Sequence, residues 1–434
     1  MKDMFRTLRN RNFALLWLGG LISLAGDWVL NIGLPIYVFL LTHSVLVLSI
    51  ALLAVSVPNI LLGSIAGVFV DRWDRRRTLI CSNLLLALGL LPLLLVRTAD
   101  LVWIVYGVAF VESCLEQFSI PAKNALLPTL VGEHHLVPAN ALNSVSSNIA
   151  RLVGPALGGI IAGVFGLQGF VLADLASFMV AALLAALISA PGVNNRQSRD
   201  AALIAAEASA LTRVWREWAA GLRMIHAERT LSVLLIAISI TALGEGVMGV
   251  LYPVFVNRVL HGGAPEIGQL MSAQAVGGLI GGVLVGLLGA RVLSRWAIGL
   301  CAVAFGLTDL IIFNIPAFFP YFWLQIALFI VVGVPGIGML AGFQSLVQAR
   351  SPDVYRGRVF GALGTTTGVL GLLGTITAGT VTDHFGVITV LSIQGAGYMV
   401  AGLLLILLLP RAHTGSSTAI TTAAGEQAAV ASEV

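Results

Sequence analysis

Charge is what this sequence has least of. Only 10% of its 434 residues are Asp, Glu, Lys or Arg, against about 25% in a soluble globular domain. With 58% of residues hydrophobic, too little polar side chain remains to cover a surface in water. A lipid-embedded chain is the alternative. The strict polar/apolar alternation of a membrane β-barrel is missing too, because the apolar runs are continuous. Cysteine is scarce: Cys81, Cys114 and Cys301 stand alone in apolar runs, which argues against a disulfide framework or a cysteine metal site. There is no G-x-x-x-x-G-K-[ST] phosphate loop, no His/Cys cluster and no evident nucleophile–base set. No metal, cofactor or enzymatic activity is therefore expected. His134 and His135 sit together in a loop without further ligands and read as surface residues.

What is present is a series of long apolar runs. About twenty apolar residues suffice to cross a hydrocarbon core of about 30 Å. The runs lay out as about twelve spans, near 13–41, 45–70, 78–96, 101–122, 140–165, 169–190, 230–256, 266–289, 296–314, 320–349, 358–382 and 387–409. The first is too long for a signal-peptide core and lacks a small-residue cleavage site, so it reads as a retained helix. The fold expected is an all-α integral membrane protein: about twelve transmembrane helices in two pseudo-symmetric six-helix bundles. The organisation expected is a cytoplasmic N-terminus over 1–12 and a first bundle over 13–190. A cytoplasmic linker with an amphipathic helix follows over 191–229, then a second bundle over 230–409 and a disordered cytoplasmic tail over 410–434. The linker reads equally well as a spacer whose only property is length.

Basic residues orient the chain. With both termini inside, nearly all Lys and Arg fall in cytoplasmic loops and only Arg97 and Arg258 fall outside, with Arg151 within the membrane. This bias accounts for the net charge of +4 without nucleic acid as a partner. A plasma-membrane, multi-pass location is expected.

Six charges crowd into seven residues at Asp71, Arg72, Asp74, Arg75, Arg76 and Arg77, between two nearly uncharged spans. Gly67 ahead of them lets another helix approach closely. Asp71 can face a neighbouring helix N-terminus, and Arg72, Arg75 and Arg76 can answer carboxylates or lipid phosphates. The pattern G-x-x-x-D-R-x-x-R-R resembles the loop between helices two and three of the major facilitator superfamily, with Asp74 where that family has Gly. The resemblance implies a latch holding two halves together on the cytoplasmic side; the charge alone is equally met by a positive-inside turn. Residues 151–159, RLVGPALGG, resemble the fifth-helix signature of drug and proton antiporters in that superfamily through Gly154, Pro155, Gly158 and Gly159, with Ala150 where the pattern has Gly. This implies export, a helix bent at Pro155 and glycines packed against the other half. Arg350 to Arg358 resembles the turn between helices ten and eleven of macrolide and siderophore exporters, and also serves as a plain basic anchor.

An internal repeat supports two bundles. Gly26-Asp27 with Pro35 recurs as Gly244-Glu245 with Pro253, and Gly67, Asp71 and Arg72 recur as Gly286, Ala290 and Arg291, the second latch having lost its acid at Ala290. Gly154, Gly158 and Gly159 have a looser echo in Gly371, Gly374 and Gly379.

Carboxylates within spans are costly, by roughly 2.5–3.5 kcal/mol on insertion scales. Those expected deep in the bilayer are Asp27, Glu112, Glu116, Glu245 and Asp309; Asp174 reads as lying near an outer end. Asp27 and Glu245 hold equivalent places in the two halves and suit a proton or cation site, or else are structural acids bonded to a neighbouring helix. Glu112 and Glu116 share a helix face, and Arg151 lies at comparable depth. A Glu112–Arg151 pair is expected, either as a proton-operated switch or as a static strut. Asn31, Asn143, Asn148, Gln117, Gln274 and Gln344 add scattered polar contacts, and Trp28, Phe118, Tyr252 and Phe343 are candidate aromatic walls for an apolar substrate.

The function expected is secondary active transport by alternating access. In it an inward proton flow drives export of a small lipophilic or cationic compound of drug, macrolide or siderophore type. Small-molecule substrate, protons and the bilayer are the expected partners, and the chain is expected to act as a monomer. Alternatives left open are an uptake carrier or lysophospholipid flippase on the same scaffold, a channel, and a non-transporting receptor or scaffold.

Overall fold

A computed structural model describes residues 6–70, 73–132, 135–189, 210–289, 294–351 and 355–410. In chain order the helices are α1 (Arg11–Thr42), α2 (Val45–Val70), α3 (Arg75–Leu90), α4 (Val102–Val131) and α5 (Leu136–Ala186) in the first half. A surface helix, α6 (Ala210–Ala227), precedes the second half. That half comprises α7 (Arg229–Arg258), α8 (Ala264–Leu288), α9 (Arg295–Asn314), α10 (Phe322–Arg350), α11 (Arg356–Phe385) and α12 (Val387–Leu408). Ten helical segments among the described residues are long and apolar enough to cross a membrane. Adding α2 and residues 136–165 of α5 gives the twelve expected.

α5 is two helices in one. Gly166 alone has non-helical angles, φ 57 and ψ −151, in a region that favours glycine. The chain reverses there. Along the first limb, Trp17 on α1 donates to the Leu142 carbonyl, and Gly154 and Gly158 pack on Trp28 and Val29. Along the second limb the order runs backwards: Gly33 meets Phe170, Gly26 meets Asp174 and Ser177, and Gly19 meets Ala181. The first limb therefore runs parallel to α1 and the second antiparallel to it. The bend expected at Pro155 is not the point of reversal; the backbone stays helical through 155. Gly154 and Gly158 pack on α1 of their own half, not across to the other half as expected. α11 repeats the arrangement, with Gly374 against the Leu243 carbonyl of α7.

The face on which α1 begins is here the near face, and the opposite one the far face. The two halves share one apolar core toward the far face. Ile32, Ile36 and Phe39 of α1 and Val45 and Leu48 of α2 lie in it with Val250, Val254 and Phe255 of α7 and Ala378 of α11. Just below the far face, Gly379 of α11 admits Ser49 of α2. Near the other face, Phe13, Leu16, Val70, Leu79 and Leu126 form a cluster that includes no residue of the second half among those described. The halves are thus sealed to each other at the far face.

The basic turn after α2 works differently from expectation. Asp74 caps α3, its carboxylate accepting from the Arg77 amide at 2.8 Å. Arg75 donates to the Ala125 carbonyl at 3.0 Å, and Arg76 to those of Ala185 and Ala186. Among the described residues these guanidiniums bind helix carbonyls of their own half rather than carboxylates, and for Arg76 the negative end of the α5 dipole adds to the attraction. Gly67 lies within α2, while Asp71, Arg72, Ala290 and Arg291 fall outside the described residues. α6 is helical and docks on the second half: Ile225 is fully buried, and Gly221 leaves room for the Arg358 carbonyl.

Candidate functional site

Three adjoining cavities surround α1. The first, about 320 Å³, runs along its near half and is lined by Gly20, Ser23, Asp27, Asn31, Glu116 and Lys123 among others. The second, about 120 Å³, lies between α1, α2, α4 and α5 and is lined by Asp27, Asn31, Glu112, Ser113, Glu116 and Asp174. The third, about 350 Å³, is a central chamber between the halves. Its walls are Asn31, Pro35 and Leu52 on one side and Glu245, Met248, Tyr252, Met271, Phe305, Asp309 and Phe329 on the other. Asn31 borders all three.

The first half gathers four carboxylates. Asp27, Glu112 and Glu116 were expected at depth. Asp174 was placed near an outer end, which the structure corrects: it is 1% exposed and lies against Gly26, level with Asp27, held by Ser177, whose hydroxyl donates at 3.0 Å. The misplacement comes from the reversal at Gly166, which starts the second limb's descent alongside α1. Glu112 is buried, and its Oε1 has no hydrogen-bond partner among the described residues. The expected Arg151 partner cannot be assigned, since its side chain lies outside the described residues. Beside these, Ser113 and Gln117 of α4 bond to α2 through Val55 and Asn59.

Lys123 is the residue that sequence reasoning passed over. It reads as a cytoplasmic charge ending the fourth span near residue 122, yet α4 continues through Pro121 and Pro128 to Val131. Lys123 accordingly projects from mid-helix into the first cavity, its ammonium lying over Gly20 of α1. A cation beside several acids in a cavity avoids the penalty that isolation in lipid would impose. The available signal was the spacing: Lys123 is seven residues after Glu116, two helical turns, on the same face.

The second half holds its two chamber acids, Glu245 and Asp309, from α12. Tyr398 donates to Glu245 Oε1 at 3.0 Å, and Gln394 donates to Asp309 Oδ2 at 3.3 Å. Asp309 is 4% exposed, whereas Glu245 opens to the chamber. The rings of Phe305 and Tyr398 lie 4.8 Å apart behind them. Of the expected aromatic walls, Trp28 lines the first cavity and Tyr252 the chamber. Phe343 is buried in the core, and Phe118 stacks on Trp73 at 5.7 Å.

Known proteins resemble this chain over nearly its whole length. It is 26% identical over 379 residues to macrolide efflux protein A of Streptococcus pyogenes, covering 86% of this chain and 90% of that one. With multidrug efflux pump Tap of Mycobacterium bovis the identity is 27% over 391 residues, covering 87% and 90%. Among solved structures, a bacterial homologue of the iron transporter ferroportin in an inward-facing state superposes with a TM-score of 0.71 at 19% identity, covering 91% of this chain and 98% of that one. Residues 3–432 match the family described as transmembrane secretion effector; the chain belongs to that family, and is a membrane transporter of the major facilitator superfamily.

Proposed function

We propose that the protein is a proton-coupled antiporter that exports a small lipophilic or cationic compound across the plasma membrane. The observation that carries this is the position of Asn31. It borders the four-carboxylate pocket and the central chamber alike, one helical turn from Asp27 on α1. A change of charge at Asp27 is therefore felt at the chamber wall through a single helix. The chamber's Met, Tyr and Phe side chains suit an apolar body, and Glu245, open to the chamber, suits a positive charge.

The geometry supports the following cycle. Proton arrival at the Asp27 group lowers its charge and lets α1 repack against α5; proton loss restores it. The two halves rock about the chamber, exposing it to each face in turn. The concentration of Lys and Arg in near-face loops supports placing that face in the cytoplasm, with both termini there. Sealing at the far face then corresponds to a chamber turned inward. Export as the direction draws on the relatives named for efflux and on the Gly154–Gly158 pattern.

Proteoliposomes with and without a proton gradient test the proposal, using lipophilic cations, macrolides and siderophores as candidate substrates. Uptake into inside-out vesicles that depends on the gradient and collapses in Asp27→Asn is the expected result. Gradient-driven transport at the wild-type rate in Asp27→Asn would remove Asp27 from the mechanism.

A further inference from the structure

Arg258 ends α7 on the face where Lys and Arg are scarce, so orientation in the membrane does not account for it. Its guanidinium makes three contacts, each with another helix or its cap. Nη2 donates to the His43 carbonyl at 3.0 Å. The group stands 5.3 Å from the Phe39 ring centroid. Nη1 lies 4.0 Å from Asp383 Oδ1 on α11. His43 caps α1 in the left-handed region, φ 50, with its carbonyl beyond the last helical turn and open to an outside donor. Phe39 and His43 belong to the first half, Arg258 and Asp383 to the second. Directly beneath lie Phe39, Val45 and Phe255, all 1% exposed or less.

We infer that Arg258 is the outer gate residue: it clasps the end of α1 to α7 and α11 across the far mouth of the chamber, and its release is required before the chamber opens to that face. The planar guanidinium suits the task because it donates to a carbonyl in its plane while presenting its face to a ring. Asp383 steers the group more than it holds it, since both partners are substantially exposed, 40% and 59%, and such pairs contribute little. The inference needs only that the chamber reaches the far face at some stage, whatever the substrate or coupling ion.

The test reads accessibility, not transport. Met248 lines the chamber. Met248→Cys in a background lacking Cys81, Cys114 and Cys301 is labelled by a membrane-impermeant maleimide applied to each face in turn. Arg258→Ala is expected to raise far-face labelling about tenfold, the scale of one lost charge-assisted hydrogen bond. Asp383→Asn is expected to raise it by less than about twofold, and the double variant to match Arg258→Ala alone. Arg258→Lys keeps a donor for the His43 carbonyl and falls between wild type and Ala; it carries the test if Arg258→Ala does not fold. Far-face labelling at the wild-type rate in a folded Arg258→Ala or Arg258→Lys protein overturns the inference. So does an equal rise from both faces, which marks general loosening.

Discussion

The phenol of Tyr398 sits 3.0 Å from Glu245 Oε1, joining α12 to α7 across the C-terminal wall of the central chamber. The same hydroxyl lies 3.3 Å from the Thr241 carbonyl. One turn earlier on α12, Gln394 holds Asp309. A single face of α12 therefore positions both chamber acids of this half. Tyr398→Phe keeps the ring packed on Phe305 and removes only the hydroxyl. Loss of one such hydrogen bond, about 1 kcal/mol, is expected to weaken binding of a cationic substrate severalfold and to move the pH profile of transport in proteoliposomes. A KM and pH profile matching wild type would make Tyr398 a packing residue only.

Glu112 distinguishes a titrating acid from a strut. Its Oε1 is buried without a partner among the described residues, an arrangement far less costly for a neutral carboxyl than for a carboxylate. Glu112→Gln should therefore fold with nearly wild-type thermal stability in detergent while transport slows. Removing one member of a static buried ion pair would instead destabilise by about 3–5 kcal/mol. A melting temperature lowered on that scale would favour the strut.

At Gly26, beside the acid pocket, α1 packs on Asp174 and Ser177 of the second limb of α5. A Cβ there would collide with Asp174 Oδ1 and the Ser177 side chain. Gly26→Ala is expected to destabilise by about 1–3 kcal/mol, as overpacking does. Gly249→Ala, with open space around it, is the control and should unfold near the wild-type temperature.

Asp74 tests the basic turn. Its carboxylate caps α3, so Asp74→Ala should lower stability by about 1 kcal/mol, while Asp74→Gly should lose only a few tenths. This ordering accounts for glycine at the corresponding place in the superfamily pattern, since both residues serve as helix N-caps. Equal melting temperatures for the Ala and Gly variants would deny the cap its role.

Much of the fold was legible from hydropathy and charge alone. In lipid every backbone amide must bond within its own segment, so a run of apolar residues has few structures available to it. The twelve spans and the two halves follow from that constraint. The repeat placed Glu245 opposite Asp27 in the second half, and α7 carries it into the chamber wall. Errors arose where length and polarity gave the wrong boundary. Lys123 looked like the end of a span because a lone lysine usually marks one, and nothing local announced a cavity to receive it. Asp174 looked peripheral because its depth depends on how sharply Gly166 turns the chain.

What the sequence determined by itself is which segments cross the membrane and which acids travel with them, because burial in lipid is a property of each segment taken singly. What only the tertiary structure decided is which acids share a pocket, that Gly154 and Gly158 face α1, that Asp74 is a cap, and that Arg258 reaches across to His43. Apart from the Asp74 cap, a bond to the amide of nearby Arg77, those are relations between helices distant in sequence. They are set by the packing of helix on helix, which periodicity along a single chain does not encode.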